Sequence, residues 1–538
     1  MKIKYFILVT ACLVSLSCDK EILDIRNPNK LEIKNLDAQG VFLSWAQGAV
    51  YQTGFNGITD PKYGGRLGDS FWFLGQTYHE LMGDVVGASA ANNIINQIGV
   101  PDEVTYSDAT KSINTAPVKQ VLKINNDRSK ASQNPFYYEW TWMYFMNNAC
   151  NGLLVNVDNV KFIGDKPSRV NTIKAWAYFW KGYAYSRIGS LYLAGIISDE
   201  FNKTNGNYVS RQDIIAEAER NFNLAEDALD AITSDEDYET VLGILIPDFC
   251  QVGKGGVLTP AEWKKTMNTL RARNVLVNKR LTEMTAADWN QILTLTSGGI
   301  TENDLIFTGR APSVNGFFTA NNGSVAAKAA TASQTLWPTE RLFQEFDQVN
   351  DQRFLNNFTL RTSPKVDAGG TIIYGARYFM EPDGKGLDGV IVYSSRTAGE
   401  YELVLAGNYE ENALMRAEAL INTNSVEAGL QIIDNVRDYQ GAGLANVAGT
   451  GLTLSQAREV LRRERRIALA FKGLSFYDAR RLGWLDGNSG RSGAVVLRNA
   501  TTLDTNSTIK YNFLSYWDVP NDEIALNPNT GSVPTSNE

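Results

Sequence analysis

The chain has 538 residues, 43% of them hydrophobic and 20% charged, with a formal net charge of −8. That length exceeds what one hydrophobic core sustains, which leaves several packed units or a stack of repeats, and the composition excludes wholesale disorder. The acidic balance deepens to −10 when residues 1–17 are removed, because they hold two of the 51 basic residues and none of the 59 acidic ones, and it excludes a nucleic-acid surface, which needs a clustered positive field.

Lys2 and Lys4 open the chain, Phe6 to Leu16 is apolar, and Ser15-Leu16-Ser17-Cys18-Asp19 closes the run. The stretch is shorter than the roughly 20 residues that cross a bilayer. A positive start, a short apolar run and small residues before a cleavage point mark a removed signal. Residues 1–17 are therefore read as a signal peptide and Cys18 as a lipidated cysteine, with Leu16 one place nearer the cysteine than the lipoprotein box usually has it. An ordinary secretory signal is the alternative. Residues 18–40 read as a polar tether and 41–538 as the folded part, divided into 41–300 and 301–538. Cys12 leaves with the signal, so Cys150 and Cys250 remain, either paired or as buried free thiols.

Helical periodicity begins at Phe42, Trp45, Ala46, Ala49 and Val50. A second helix is predicted over Gly68 to Met82, with the chain's single histidine, His79, at a cap or core edge. Residues 83–134 read mostly as loop. Long helices follow: Pro135 to Val157, with Tyr138, Trp142, Phe145, Met146 and Ala149 on one face, then one capped by Ser168 with Ile173, Trp176, Ala177, Trp180, Ala184 and Ile188. Ala175, Gly182 and Gly189 flank that stripe and permit close helix approach. Ser210 or Asp213 opens the next helix, Pro260 starts another, and Thr285 caps a short one.

Regular patterning dissolves between Gly298 and Leu336 and resumes in a helix near Thr339 to Phe346. Residues 358–405 alternate in short runs that read as hairpins. Helices are predicted at Tyr409–Asn422, Val426–Tyr439 and Leu454–Arg481, the middle one capped by Ser425 and stopped by Gly441. The fold class is all-α in the main: tetratricopeptide-type helical hairpins without a strict 34-residue period, carrying loop insertions and a few short β-hairpins.

Arg462-Arg463-Glu464-Arg465-Arg466-Ile467-Ala468-Leu469-Ala470-Phe471-Lys472-Gly473, continuing through Phe476-Tyr477-Asp478-Ala479-Arg480-Arg481-Leu482-Gly483, resembles the signature of the SusD/RagB family of outer-membrane nutrient-binding lipoproteins. Ala468, Lys472 and Ser475 depart from it, standing for an acid, a glutamate and an arginine. Arg416 to Leu420, Ile433 to Arg437, and Val519-Pro520 with Glu523-Ile524 are similar to further family segments. So is Ala175 to Ser190, with Lys181 for an arginine. The resemblance implies a SusD-like body on four tetratricopeptide-like hairpins. It also implies a partner, a SusC-like TonB-dependent outer-membrane transporter, which the protein would cap, and a place on the cell surface as a lipid-anchored outer-membrane protein.

Seven arginines near Arg462–Arg466 could be taken for an anion site. The stripe Val460, Ile467 and Phe471 favours a structural role, with Glu464 and Asp478 pairing neighbouring arginines. Sugar binding needs exposed aromatic faces and hydrogen-bonding amides presented on loops. Two regions combine them: Phe71 and Trp72 with Asn92 and Asn93, and Phe317, Phe318, Asn321, Asn322 and Trp337. Trp142, Trp176 and Trp180 lie on helical stripes and are assigned to the core. No Gly-x-Ser-x-Gly, Gly-x-Gly-x-x-Gly, phosphate-binding loop or zinc motif occurs, so no catalytic residue, cofactor or metal is assigned. The expected function is capture of an oligosaccharide or polysaccharide and its delivery to the transporter. A peptide-importing lipoprotein of the same architecture and, less favoured, a helical-barrel glycosidase with two carboxylates are the alternatives.

Overall fold

Helix boundaries follow from capping chemistry. A computed structural model describes residues 38–51, 58–59, 66–67, 70–88, 93–251, 253–310, 336–365, 375–380, 402–487, 490–499 and 501–537; Cys18 and the predicted signal and tether up to residue 37 lie outside them. The main helices are α1 (Gln39–Tyr51), α2 (Ser70–Met82), α3 (Pro135–Asn156), α4 (Lys166–Leu191), α5 (Arg211–Asp230), α6 (Asp235–Leu245), α7 (Pro260–Val277), α8 (Ala286–Ser297), α9 (Tyr409–Asn422), α10 (Val426–Tyr439), α11 (Leu454–Ala468) and α12 (Ser475–Arg481). Ser210 with Asp213, Thr259 with Glu262, Thr285 with Asp288 and Thr453 with Gln456 form reciprocal capping boxes, each satisfying two otherwise orphaned N–H groups.

Consecutive helices pack as hairpins: α3 on α4, α4 on α5, α7 on α8, and α9 on α10, with α11 against the last pair. This is the mainly helical, hairpin-built fold expected. Close approach of α4 and α5 depends on Gly182, where a Cβ would stand 2.6 Å from the Phe222 ring. The core of this half is aromatic: Trp263 and Phe307 centroids lie 5.3 Å apart, Trp180 and Phe307 5.4 Å, and Phe179 and Trp263 5.6 Å. Trp142, Trp176 and Trp180 are buried as assigned. Phe145 is not with them; it is 45% exposed, turned to the outer side of α3.

Three further expectations need correction. Asp165, not Ser168, caps α4; the Ser168 hydroxyl instead receives the N–H groups of Thr233 and Ser234. Ser425 makes no side-chain cap bond to α10, although Gly441 at φ 64° does follow its end. The single helix predicted over 454–481 is two, broken at Phe471 and Gly473, both in the left-handed region (φ 64° and 69°). Cys150 and Cys250 are both free and buried.

The short strands are β1 (Val86–Ala88), β2 (Glu103–Thr105), β3 (Lys111–Ile113), β4 (Leu336–Pro338), β5 (Gly490–Leu497) and β6 (Leu503–Lys510). β5, β6, β2 and β3 form one antiparallel sheet in that order, with Lys510 opposite Glu103. It joins residues 103–113 to residues 490–510. Phe358–Lys365 pairs with Ala376–Met380 as a hairpin, and Thr308–Arg310 pairs with Glu402–Val404. No helix among the described residues is long and apolar enough to cross a membrane.

Candidate functional site

One strand ladder borders, in sequence, the two regions singled out above. β1 and β4 run antiparallel, Val86 opposite Pro338, Gly87 opposite Trp337 and Ala88 opposite Leu336. Ala88, the described residue before Asn92 and Asn93, and Leu336, the described residue after Phe317–Asn322, therefore lie side by side. A Cβ on Gly87 would stand 2.8 Å from Trp337 Nε1, so the indole lies flat on the strand only because residue 87 is glycine. Trp337 is 1% exposed. It is a packed wall residue and not a sugar platform, which corrects its assignment to a ligand-facing loop.

Phe71 and Trp72 fall in the first turn of α2 and not in a loop, and Asn93 begins a short helix, Asn93–Ile98; of these three only the backbone is described. Asn92, Phe317, Phe318, Asn321 and Asn322 lie outside the described residues, as do the expected runs at 371–374 and 390–393.

Buried charge fixes this frame. α2 ends at Met82, and after Gly83 the chain turns into β1 at Asp84, at φ 57°. The Asp84 carboxylate accepts from Arg341 Nε at 3.1 Å and Arg491 Nη1 at 3.1 Å, while Arg466 donates to the carbonyls of Gly83 and Asp84, both at 2.8 Å. Glu345 accepts from Arg462 at 2.7 Å and Arg491 at 2.9 Å. The Trp484 ring lies 4.5 Å from the Arg491 guanidinium. Burial opposes the ionised form of Asp84, but Arg341, Arg491 and Arg466 outweigh it and hold its carboxyl below the usual range. Burial, with Arg491 alongside, brings Arg466 down to about 10. Arg377 binds Glu340 through its amide and its guanidinium, tying the 358–380 hairpin to the same frame.

The arginine-rich signature is thus a clamp. Arg465 and Arg481 both bind Asp478 (3.0 and 2.7 Å), Arg481 binds Glu418 at 2.7 Å, and Glu464 receives Arg353 and Arg437. The structural reading of these residues is supported, though the Glu464 partners come from other elements and not from its own helix. Where relatives carry a glutamate, Lys472 binds Glu410 at 2.9 Å; where they carry an arginine, the Ser475 hydroxyl donates to the His79 carbonyl at 3.0 Å.

His79 is buried outright, not at a core edge. Its Nε2 lies 3.1 Å from Glu139, which also binds Arg187, and burial lowers its pKa despite the pull of Glu139. Next to it, Glu80 accepts the N–H groups of Gly473 (2.7 Å) and Phe471 (3.2 Å), holding the left-handed break between α11 and α12. Burial raises Glu80 to about 7 in spite of those two bonds. Sequence reasoning missed the Asp84–Arg341–Arg491 group entirely. Its only local signal was an acid directly after glycine at a helix end.

An amide-rich groove of about 370 Å³ lies elsewhere, between α3 and the C-terminal segment. Its amide N–H groups are engaged internally, Asn147 on the Ser198 carbonyl, Asn148 on Asn202 and Asn527 on the Asn205 carbonyl, which leaves few donors for a sugar. Among the described residues no group of three or more His, Cys, Asp or Glu side chains could hold a metal ion.

Comparison with known proteins adds sequence and fold. The SusD family model matches residues 409–534. No curated protein matches the chain. Among solved structures, a SusD-like carbohydrate binding protein from Bacteroides vulgatus is 13% identical, with 93% of this chain and 99% of that one aligned at a TM-score of 0.55. A SusD superfamily protein from the same organism is 14% identical (91% and 97%, TM-score 0.54). A SusD-like carbohydrate binding protein from Bacteroides fragilis is 16% identical (86% and 100%, TM-score 0.53). At these identities the structures speak for the fold. The resemblance to the SusD/RagB family therefore holds by sequence in the C-terminal part and by fold across the molecule.

Proposed function

We propose, from the premise that this chain carries SusD family sequence over residues 409–534 on a SusD fold, that it is a cell-surface lipoprotein that captures an oligosaccharide or polysaccharide. It hands the glycan to a SusC-like TonB-dependent transporter in the same membrane and carries out no chemistry on it. The observation that carries this reading is the family match together with solved neighbours whose own titles call them carbohydrate binding. Ala88 and Leu336, the described residues that border the two regions in sequence, pair on the β1–β4 ladder, which supports glycan contact by Asn92, Asn93, Phe317, Phe318, Asn321 and Asn322, with Phe71 and Trp72 in the helix that leads into that ladder.

Acylation at Cys18 supplies the anchor. Each buried methylene contributes about 0.8 kcal/mol, so a multiply acylated cysteine stays in the membrane. Tethering raises the effective concentration of the partner, and a weak ligand grip then suffices to load it.

Affinity electrophoresis in gels containing candidate polysaccharides tests the reading. The protein should be retarded in at least one gel, and the recovered polymer should keep its length. Shortened polymer would put the glycosidase alternative in its place. Replacing Cys18 with alanine should release the protein from the membrane fraction without changing retardation.

A further inference from the structure

α5, α7 and α8 wall a surface cleft of about 640 Å³, well away from the β1–β4 ladder and unused by the function proposed above. Apolar side chains of Ile215, Val275 and Leu295 line it beside the amides of Asn274, Asn278 and Gln291. Its acids are already engaged. Glu219 binds Arg271 at 2.9 Å, Asp288 binds Lys279 at 2.6 Å and accepts the Thr285 N–H, and Glu283 accepts the Arg280 N–H.

Arg211 is the exception among the charged lining. Its guanidinium makes no hydrogen bond or ion pair with any described residue and rests 4.1 Å from the Tyr516 ring centre. Arg480 lies 4.2 Å from the same ring and donates to the carbonyls of Ser190, Val277 and Ser515, so no carboxylate offsets either charge. Asn278 donates to Ser190 Oγ and the Asn274 carbonyl, which leaves its buried Oδ1 without a hydrogen-bond partner.

A guanidinium stacked on an aromatic ring is pre-oriented, and its planar fork matches a carboxylate. An unpartnered amide oxygen calls for an N–H donor. Carboxylate, N–H donors and apolar side chains occur together at the end of a polypeptide. We infer that this cleft binds the C-terminal segment of an extended polypeptide, its carboxylate on Arg211, its main-chain N–H on Asn278 Oδ1 and its side chains against Ile215, Val275 and Leu295. A uronic acid would supply the carboxylate but leave the apolar lining uncovered.

The test uses the whole mature protein and a tetrapeptide of alanine and leucine, with a free C-terminus or a C-terminal amide, in a calorimetric titration. The free acid should bind, and amidation should weaken binding about tenfold or more. Arg211→Gln should lose about as much, Arg211→Lys, which keeps the charge without the planar fork, should fall between Arg211→Gln and the wild type, and polysaccharide retardation should not change in either. Equal binding of acid and amide, an unaltered Arg211→Gln, no binding at about 10 mM, or equal competition by a glucuronic acid oligomer would each overturn the assignment. If Arg211→Gln melts early, the acid-against-amide comparison on the unaltered protein still decides.

Discussion

Between α3 and α8 the side chains that meet are rings: Trp176, Phe179, Trp180, Trp263 and Phe307 lie edge to face around one centre. From residue 340 onward rings still meet, Phe343, Phe354 and Phe358 among them, but most of the buried arginine–carboxylate pairs lie here, with Arg341 and Arg353 as fully enclosed as any tryptophan. The difference is one of tolerance. Apolar packing constrains volume and forgives a swap that preserves it. A buried ion pair constrains geometry and charge together, and removing one partner strands the other in a medium that cannot solvate it.

The contrast breaks most visibly at Arg353, which binds Asp351 at 2.8 Å and also Glu464. Arg353→Met should cost about 3–5 kcal/mol in urea unfolding. Met267→Leu, equally buried in the aromatic half, should cost less than about 1.5 kcal/mol. Comparable losses would erase the distinction.

Glu80 separates the regions by pH. Its carboxyl is raised to about 7 from 4.5, so the associated stability is full below pH 4.5 and disappears as pH rises through 7. That swing is on the order of 3 kcal/mol. Glu80→Gln removes the titration, so melting curves should move in the variant's favour across that window. Asp478 acts in the opposite sense: burial opposes its charge, but Arg465 and Arg481 prevail and hold it at about 2, so its contribution is present above 3.8 and fades as pH falls through 2. A pH-independent gap between wild type and Glu80→Gln would mean that Glu80 is ionised throughout.

Gly87→Ala forces the Trp337 indole off its strand and should cost about 1–3 kcal/mol, read as a lowered melting temperature. The smallest effect belongs to the helical half: Ser210→Ala removes one cap of α5 and should cost about 1 kcal/mol.

How much could be read beforehand divides along locality. The bounds of α9 and α10 match the sequence reading residue for residue, since their amphipathic stripes are written within a few positions. The break after α11 was not legible, because what holds Phe471 in the left-handed region is Glu80, 391 residues away. Trp337 was misjudged for a similar reason. Its burial is decided by Gly87 on a strand 250 positions earlier, and a Gly-, Asn- and Ser-rich setting gave no hint of that partner. The sheet that joins β2 and β3 to β5 and β6 was equally hidden, its first two strands being only three residues long.

That sheet sets an order of assembly. β2 can pair with β3 at once, but it cannot gain its other neighbour, β6, until residues 508–510 exist, some four hundred positions after it has been synthesised. A pairing so distant is a slow step and leaves an exposed edge while it waits. The α3–α8 helices, whose contacts are close in sequence, can settle early, but the molecule closes only when nearly its last residues arrive. Export of an unfolded chain across a membrane is compatible with such a design, and premature truncation is not.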